Sequence, residues 1–117
     1  MLKFYWYPKC STCQKAKKWL IANHVEFKEI HIVEHPPSKT ELKEMAAADG
    51  VELKKFFNTS GQVYRELQLK DKLGDMPEDE QLELLASNGM LIKRPLAWDG
   101  KNITLGFKEE AFKNTWL

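Results

Sequence analysis

Apolar and polar residues form three distinct blocks in the first third of the chain. An apolar and aromatic run at Leu2–Tyr7, ended by Pro8, is typical of a buried strand. Ser11–Asn23 carries apolar residues at helical spacing with lysines between them, which predicts an amphipathic helix. A second apolar run at Phe27–Val33 predicts another strand. Because two strands joined by a helix form a β-α-β unit, we expect these two strands to be parallel.

The middle of the chain is predicted to be a helical insertion at about residues 38–90. Ser38 and Glu41 have the spacing of a capping box, in which both side chains satisfy exposed amides at the start of a helix. Gly50 is suited to end that helix, and Pro77 is suited to the first position of a later one. Helical segments are therefore predicted at about 40–48, in short pieces over 53–73 around a turn at 60–61, and at 78–87.

The last part of the chain changes to a hairpin pattern. Leu91–Trp98 and Asn102–Phe107 flank Asp99-Gly100, which is a strong turn signal. Lys108–Trp116 predicts a closing helix. The element order is then β-α-β, helical insertion, β-β-α. We predict a single α/β domain over residues 1–117, with a mixed four-stranded sheet and helices on both of its faces.

Composition excludes several classes of protein. Apolar residues make up 43% of the 117 residues and charged residues 30%, which is too apolar for a disordered chain. No stretch without a charged residue is longer than nine residues, whereas a membrane-spanning helix needs about 20 apolar ones. The 18 basic and 17 acidic residues leave a net charge of +1, so we expect no basic surface for direct contact with nucleic acid.

The cysteine content indicates the cellular compartment. The chain has only Cys10 and Cys13, whereas small secreted scaffolds are rich in cysteine, and its first residues lack a signal-peptide pattern. We therefore expect a cytoplasmic protein with reduced thiols. In that compartment a close pair of cysteines is seldom structural.

Cys10 and Cys13 stand between a predicted strand and a predicted helix, which is the position of a thioredoxin-like redox motif. Unpaired amides and the positive dipole end at a helix start favour a thiolate over a thiol. Cys10, at the helix cap, is the candidate nucleophile, and Cys13, one turn later, is the candidate resolving thiol. Two alternatives stay open. The pair is inert and buried, or it binds zinc with His31 and His35, although a strand would hold those histidines about 13 Å apart.

Arg94-Pro95 is the second candidate feature. A proline just before a strand, in a chain with an N-terminal Cys-x-x-Cys, is a candidate cis-proline near the thiols, although trans is the commoner isomer. Arg94 is a candidate ligand for an oxyanion or a substrate carboxylate. The alternative is that Arg94 forms an ordinary surface ion pair.

A family resemblance is carried by the segments Tyr7-Pro-Lys-Cys-Ser-Thr-Cys-Gln-Lys-Ala16, Phe57-Asn-Thr-Ser-Gly61, Tyr64-Arg-Glu-Leu67 and Lys93-Arg-Pro-Leu96. Together they resemble the arsenate reductase-like ArsC/Spx family, and most of all its YusI-type branch of small bacterial proteins. The resemblance covers nearly the whole chain, in order and with compatible spacing. It implies a thioredoxin-like fold with a helical insertion, and it implies that Pro95 is cis.

The resemblance also implies two kinds of activity. Arsenate reductases of this family attack arsenate with the cysteine that matches Cys10, are regenerated by glutathione and glutaredoxin, and hold the oxyanion with three arginines. One of these arginines matches Arg94. The other two fall on Asn58 and Phe107, which removes most of the charge-assisted hydrogen bonds to such an anion. Spx regulators use both cysteines as a redox switch and bind the C-terminal domain of the α chain of RNA polymerase.

We predict a thiol–disulfide redox protein in which Cys10 attacks and Cys13 resolves. The alternatives are a glutaredoxin-coupled arsenate reductase and a redox-switched regulator that binds RNA polymerase. The expected substrate is a small oxidant or a protein disulfide, and the expected reductant is glutathione with glutaredoxin, or thioredoxin. We expect no metal, no resident cofactor and no membrane contact. The predicted supporting or substrate-binding residues are Ser11, Thr12, Asn58, Arg94 and Pro95.

Overall fold

The computed structural model describes residues 1–117, except the side chain of Asp49, and a mixed four-stranded sheet organises these residues. The strands are β1 (Leu2–Trp6), β2 (Phe27–His31), β3 (Leu96–Trp98) and β4 (Ile103–Leu105). Their spatial order is β2-β1-β3-β4, so β2 and β4 are the edge strands. β1 is parallel to β2 and antiparallel to β3, and β3 is antiparallel to β4. The predicted α/β class and mixed sheet are confirmed, and the fold is thioredoxin-like.

The helices begin and end close to the positions that the sequence signals predict. The predicted capping box forms, because the hydroxyl of Ser38 accepts from the N–H of Glu41 at 3.1 Å and the Glu41 carboxylate accepts from the N–H of Ser38. Gly50 ends that helix in the left-handed region, at φ 62°. Pro77 lies one residue before its helix instead of at its first position. The helices are α1 (Ser11–Ala22), α2 (Lys39–Asp49), α3 (Gln62–Glu66), α4 (Leu69–Lys72), α5 (Glu78–Ser87) and α6 (Glu109–Trp116), with 3-10 turns at Leu53–Phe56, Leu73–Asp75 and Gly89–Leu91.

Helices pack on both faces of the sheet, as predicted. Side chains of a strand point alternately to its two faces, so Leu2 and Phe4 join one core whereas Tyr5 joins the other. The first core contains Leu20 of α1 and Phe112 of α6. The second core is larger and contains the buried residues of the helical insertion, among them Leu42, Met45, Phe56, Leu82 and Leu85. Among the described helices, none is both long enough and apolar enough to cross a membrane.

β2 is shorter than the sequence predicts. It ends at His31 instead of continuing to Val33, because the chain turns there. The carbonyl of His31 accepts from the N–H of His35 at 2.8 Å, and Nδ1 of His31 accepts from the N–H of Glu34 at 3.3 Å. The apolar pattern predicts a longer strand because Ile32 is apolar and fully buried, although it lies beyond the end of β2.

The first strand of the hairpin is also shorter than the sequence predicts. β3 begins at Leu96, whereas Ile92 forms an isolated antiparallel bridge with Phe57. This bridge joins the helical insertion to the segment just before β3. Two backbone hydrogen bonds of 2.7 Å support it, from Lys93 N to the carbonyl of Phe56 and from Asn58 N to the carbonyl of Leu91.

Candidate active site around Cys10

The loop between β1 and α1 holds Cys10 at the helix start. A turn closes when the N–H of Cys10 donates to the carbonyl of Tyr7 at 3.0 Å, and the side-chain amide of Gln14 donates to the carbonyl of Pro8 at 2.6 Å. Cys10 is the N-cap residue of α1, with an extended backbone. Its Sγ accepts from the N–H of Cys13 at 3.3 Å, so a sulfur occupies the place of the usual capping oxygen.

The two thiols are free, and their environments differ. Cys10 is partly exposed, whereas Cys13 is fully buried. Burial, followed by the hydrogen bond with Cys10, raises the pKa of the Cys13 thiol to about 12. A backbone hydrogen bond from Tyr7 and the charge of Arg94 act in the opposite direction but are outweighed. Cys13 is therefore a neutral thiol at physiological pH.

Cys10 opens onto a cleft of about 340 Å³. Thr12, Asn58 and Arg94, which come from three separate parts of the sequence, line it together with Phe107. The bridge at Phe57 brings Asn58 into this position. The structure thus places four of the predicted site residues, Cys10 among them, around one cleft.

The remaining predicted site residues lie beside the cleft and do not line it. Ser11 is exposed on the first turn of α1, and Cys13 and Pro95 are buried. The Arg94–Pro95 peptide bond is cis, as the family resemblance implied. The carbonyl of Pro95 accepts from the N–H of Gly106 at 2.9 Å, so the residues that follow β4 are held next to this segment.

Arg94 is held by backbone carbonyls. Its Nη1 donates to the carbonyls of Gly89, Met90 and Ile92 at 3.5, 3.3 and 3.5 Å. Its guanidinium carbon lies 5.6 Å from the centre of the Tyr7 ring, within the range of a cation–π contact. Among the described residues, Arg94 has no ion pair with a carboxylate, and its buried Nε has no hydrogen-bond partner. Arg94 thus binds the carbonyls of the preceding 3-10 turn, and its guanidinium charge lies at the wall of the cleft.

The alternatives for the cysteines require two buried thiols or, for zinc, further metal ligands nearby. The inert, buried pair describes Cys13 but not Cys10, which faces the cleft. For the zinc alternative, no group of three His, Cys, Asp or Glu side chains within the described part of the chain could hold a metal ion. His31 instead packs edge-on against Tyr7, with ring centres 5.7 Å apart.

Comparison with known proteins identifies the family. A model described as the ArsC family matches residues 5–115. The chain belongs to the ArsC family. It is similar to YusI from Bacillus subtilis, with 65% identity and 98% of each chain covered. The global transcriptional regulator Spx of Enterococcus faecalis is 33% identical, with 97% of this chain and 84% of Spx covered. An NMR structure of a protein from Staphylococcus aureus is 55% identical, with a TM-score of 0.93 and with 100% of this chain and 99% of that chain covered.

Sequence reasoning missed several residues at the site of this ArsC-family chain. Lys108 and Leu105 line the cleft with Cys10, although nothing in their local sequence marks them. Gly106 adopts φ 79°, and a Cβ there would lie 3.2 Å from Cε of Lys93. A glycine inside a predicted strand is the sequence signal for such a close approach.

Proposed function

We propose that this ArsC-family chain is a thiol–disulfide redox protein that uses Cys10 as nucleophile and Cys13 as resolving thiol. The contrast between the two sulfurs carries the proposal. Cys10 lies on the open cleft, whereas Cys13 is buried behind it, with its N–H 3.3 Å from Sγ of Cys10. A nucleophile needs access to the substrate, and a resolving thiol needs access only to the nucleophile.

The reaction begins when the Cys10 thiolate attacks one sulfur of a substrate disulfide. The substrate S–S bond breaks, a mixed disulfide forms on Cys10, and the departing thiolate takes a proton from water. Cys13 then gives its proton to water and attacks Sγ of Cys10. This step forms the Cys10–Cys13 disulfide and releases the second substrate thiolate, which is protonated in turn. Two electrons pass from the cysteines to the substrate, and an external thiol or dithiol returns them.

The helix start supports the first step. The N–H groups of Ser11 and Thr12 stand at helical positions that have no acceptor within the helix, and the N–H of Cys13 already points at Sγ of Cys10. Hydrogen bonds to an ionised acceptor are about twice as strong as neutral ones. Because burial holds the pKa of Cys13 at about 12, Cys13 stays protonated and does not compete as nucleophile.

A redox titration in glutathione buffers, followed by alkylation and mass spectrometry, tests the proposal. We expect both cysteines to lose their free thiols together, in one reversible two-electron transition. The Cys13→Ser variant should accumulate a mixed disulfide between Cys10 and glutathione. The Cys10→Ser variant should form no such adduct, because Cys13 is buried. Independent oxidation of the two cysteines, or an adduct on Cys13 alone, would contradict the assigned roles.

A redox-switched regulator is the second candidate, and the 33% identity to Spx over 97% of the chain favours it. In this function the same Cys10–Cys13 disulfide would change a contact with RNA polymerase. The test compares how the reduced and the oxidised protein capture the C-terminal domain of the polymerase α chain. Binding that changes with oxidation supports a regulator, and the absence of binding in both states eliminates it.

Arsenate reduction has weaker support from the cleft. Asn58 and Phe107 line it at the two positions where the resemblance would place further arginines, and Arg94 already shares Nη1 among carbonyls. Lys93 and Lys108 add point charges, but they lack the planar fork that binds an oxyanion through two hydrogen bonds. We expect no arsenate-dependent turnover with glutaredoxin. Turnover that Arg94→Ala abolishes would establish arsenate as a substrate.

A further inference from the structure

A second cleft adjoins the cleft at Cys10, and the two together are called the double cleft. The second cleft has a volume of about 530 Å³ and shares Asn58, Lys93 and Leu105 with the first. It extends to Lys54 and Lys55, which lie on an exposed 3-10 turn of the helical insertion. Each cleft alone has the size of a small-molecule site. A substrate that occupies both must reach from the thiol past Lys93 to this turn, so it must be extended.

Charge is strongly segregated along this double cleft. Among the described residues, no Asp or Glu lines either part of it, although the chain as a whole has 17 acidic residues against 18 basic ones. Lys54 pairs with Glu52 at 3.3 Å, but both side chains are largely exposed and such pairs are weak. Within the described part of the chain, the other lysines of the double cleft form no ion pair. The basic residues that line it are Lys54, Lys55, Lys93, Arg94 and Lys108.

The edge strand β4 presents main-chain groups at the open edge of the sheet, beside the double cleft. In the antiparallel β3–β4 pair, the N–H of Gly106 donates to Pro95 and the N–H of Asp99 donates to Asn102. Because hydrogen-bonded positions alternate along such a pair, the N–H and carbonyl of Leu105 point away from β3, toward the open edge of the sheet. Leu105 lines both clefts. An extended polypeptide can pair with such an edge, whereas a compact anion cannot.

We propose that the disulfide reduced at Cys10 belongs to an extended polypeptide that carries acidic residues on one side of its reacting cysteine. The reacting sulfur lies at Cys10, and the acidic side runs past Lys93 toward Lys54 and Lys55. Phe107 and Leu105 contact the apolar part of the segment. This proposal rests on the proposed function and adds its substrate class.

Three synthetic disulfide peptides of equal length test the proposal, with acidic, amide or basic residues beside the cysteine. The measurement is the second-order rate constant for formation of the Cys10–Cys13 disulfide when each peptide oxidises the reduced protein. We expect the acidic peptide to react about tenfold faster than the basic one at low salt, with the preference shrinking at high salt. The double variant Lys54→Glu/Lys55→Glu should remove or reverse this ratio.

The double variant Lys18→Glu/Lys28→Glu is the matched control. It makes the same change in net charge on exposed lysines of α1 and of β2, the opposite edge of the sheet, and neither lysine lines the double cleft. We expect it to keep the wild-type ratio of acidic to basic rates. If circular dichroism shows that the double variant is unfolded, Lys55→Gln should lower the ratio by about threefold.

The outcomes separate this proposal from the proposed function. Equal rates for acidic and basic peptides, or a preference that survives the lysine changes, overturn the polypeptide proposal while disulfide formation still supports the redox function. Failure to form the Cys10–Cys13 disulfide with any peptide, and also with the small uncharged 2-hydroxyethyl disulfide, overturns both.

Discussion

A methyl group at Gly89 should disrupt the turn that supports Arg94. A Cβ built on Gly89 would lie 2.0 Å from the carbonyl oxygen of Ile32 and 2.6 Å from its carbonyl carbon. Ordinary carbon–oxygen contacts lie at about 3.3 Å, so Gly89→Ala requires the two backbones to separate by about 1.3 Å. Both residues are buried, and the N–H of Ile32 donates to Trp6 of β1 at 3.0 Å. The obstacle is therefore a backbone anchored to the sheet, and not a flexible side chain.

The size of the effect follows from this anchoring. Overpacking a buried site typically destabilises a protein by about 1–3 kcal/mol, because a close-packed interior has no free volume to relax into. Because the backbone must move here, we expect Gly89→Ala to lower the free energy of unfolding by about 3 kcal/mol, the upper end of that range. For a domain of this size, that loss lowers Tm by about 10 °C.

Urea unfolding followed by circular dichroism, with a thermal scan, measures both quantities. Gly74→Ala is the matched control, because a Cβ at Gly74 meets nothing within 4 Å. We expect Gly74→Ala to be neutral, or stabilising by about 0.5 kcal/mol through a lower entropy of the unfolded chain. A Gly89→Ala loss below about 0.5 kcal/mol, indistinguishable from the control, would show that the steric reasoning is wrong.

Further predictions concern titration and hydrogen bonding. The pKa of Cys13 is about 12 in the folded chain and about 8.5 in an unfolded one, so the stability that this difference contributes is present below pH 8.5 and is lost as the pH rises. In urea titrations, the free energy of unfolding of the wild type should fall between pH 8 and pH 10 by about 2 kcal/mol more than that of Cys13→Ala. Burial opposes ionisation of Glu41, but Lys3 at 3.0 Å, together with hydrogen bonds from the N–H of Ser38 and the hydroxyl of Tyr5, outweighs it and holds the pKa of Glu41 below its ordinary value. Glu41→Gln should therefore lower stability by about 1 kcal/mol at neutral pH, with the difference vanishing as acid protonates the wild-type carboxylate; a difference that persists in acid contradicts the ion pair. Arg94→Lys should lower the free energy of unfolding in urea by about 1 kcal/mol, because an ammonium group cannot reproduce the contacts of the guanidinium with the carbonyls. The same change at the exposed Arg65 should leave the free energy of unfolding unchanged.

Local signals in the sequence predicted several elements well. Ser38 and Glu41 start α2 because a capping box depends only on residues three apart, and Gly50 ends it because glycine adopts φ 62° without strain. The pattern of Cys10 and Cys13 is predictive for the same reason, since a Cys-x-x-Cys at a strand–helix junction is a local motif. Their roles as nucleophile and resolving thiol remain predictions.

Two strand boundaries depend on backbone pairing that the apolar pattern does not predict. Ile32 and Val33 continue the apolar pattern of β2, yet the strand ends at His31 because a turn competes for its carbonyl. The segment from residue 91 reads as a strand, but the bridge of Ile92 to Phe57 and the contacts of Arg94 shape it differently. Hydrophobicity shows that such residues are buried, but it does not show which backbone groups they pair with.

The order of residues along the chain is enough to predict the α/β class, the parallel start and antiparallel end of the sheet, and a pair of cysteines at a helix start. These features follow from periodicity and from motifs within a few residues. Three-dimensional packing was needed to show that Cys10 faces a cleft while Cys13 is buried, and that Asn58 and Arg94 line that cleft. Packing also gathers several lysines along two adjoining clefts in a chain whose net charge is only +1. Burial and electrostatic fields depend on positions in space, and long-range strand pairing and packing set those positions.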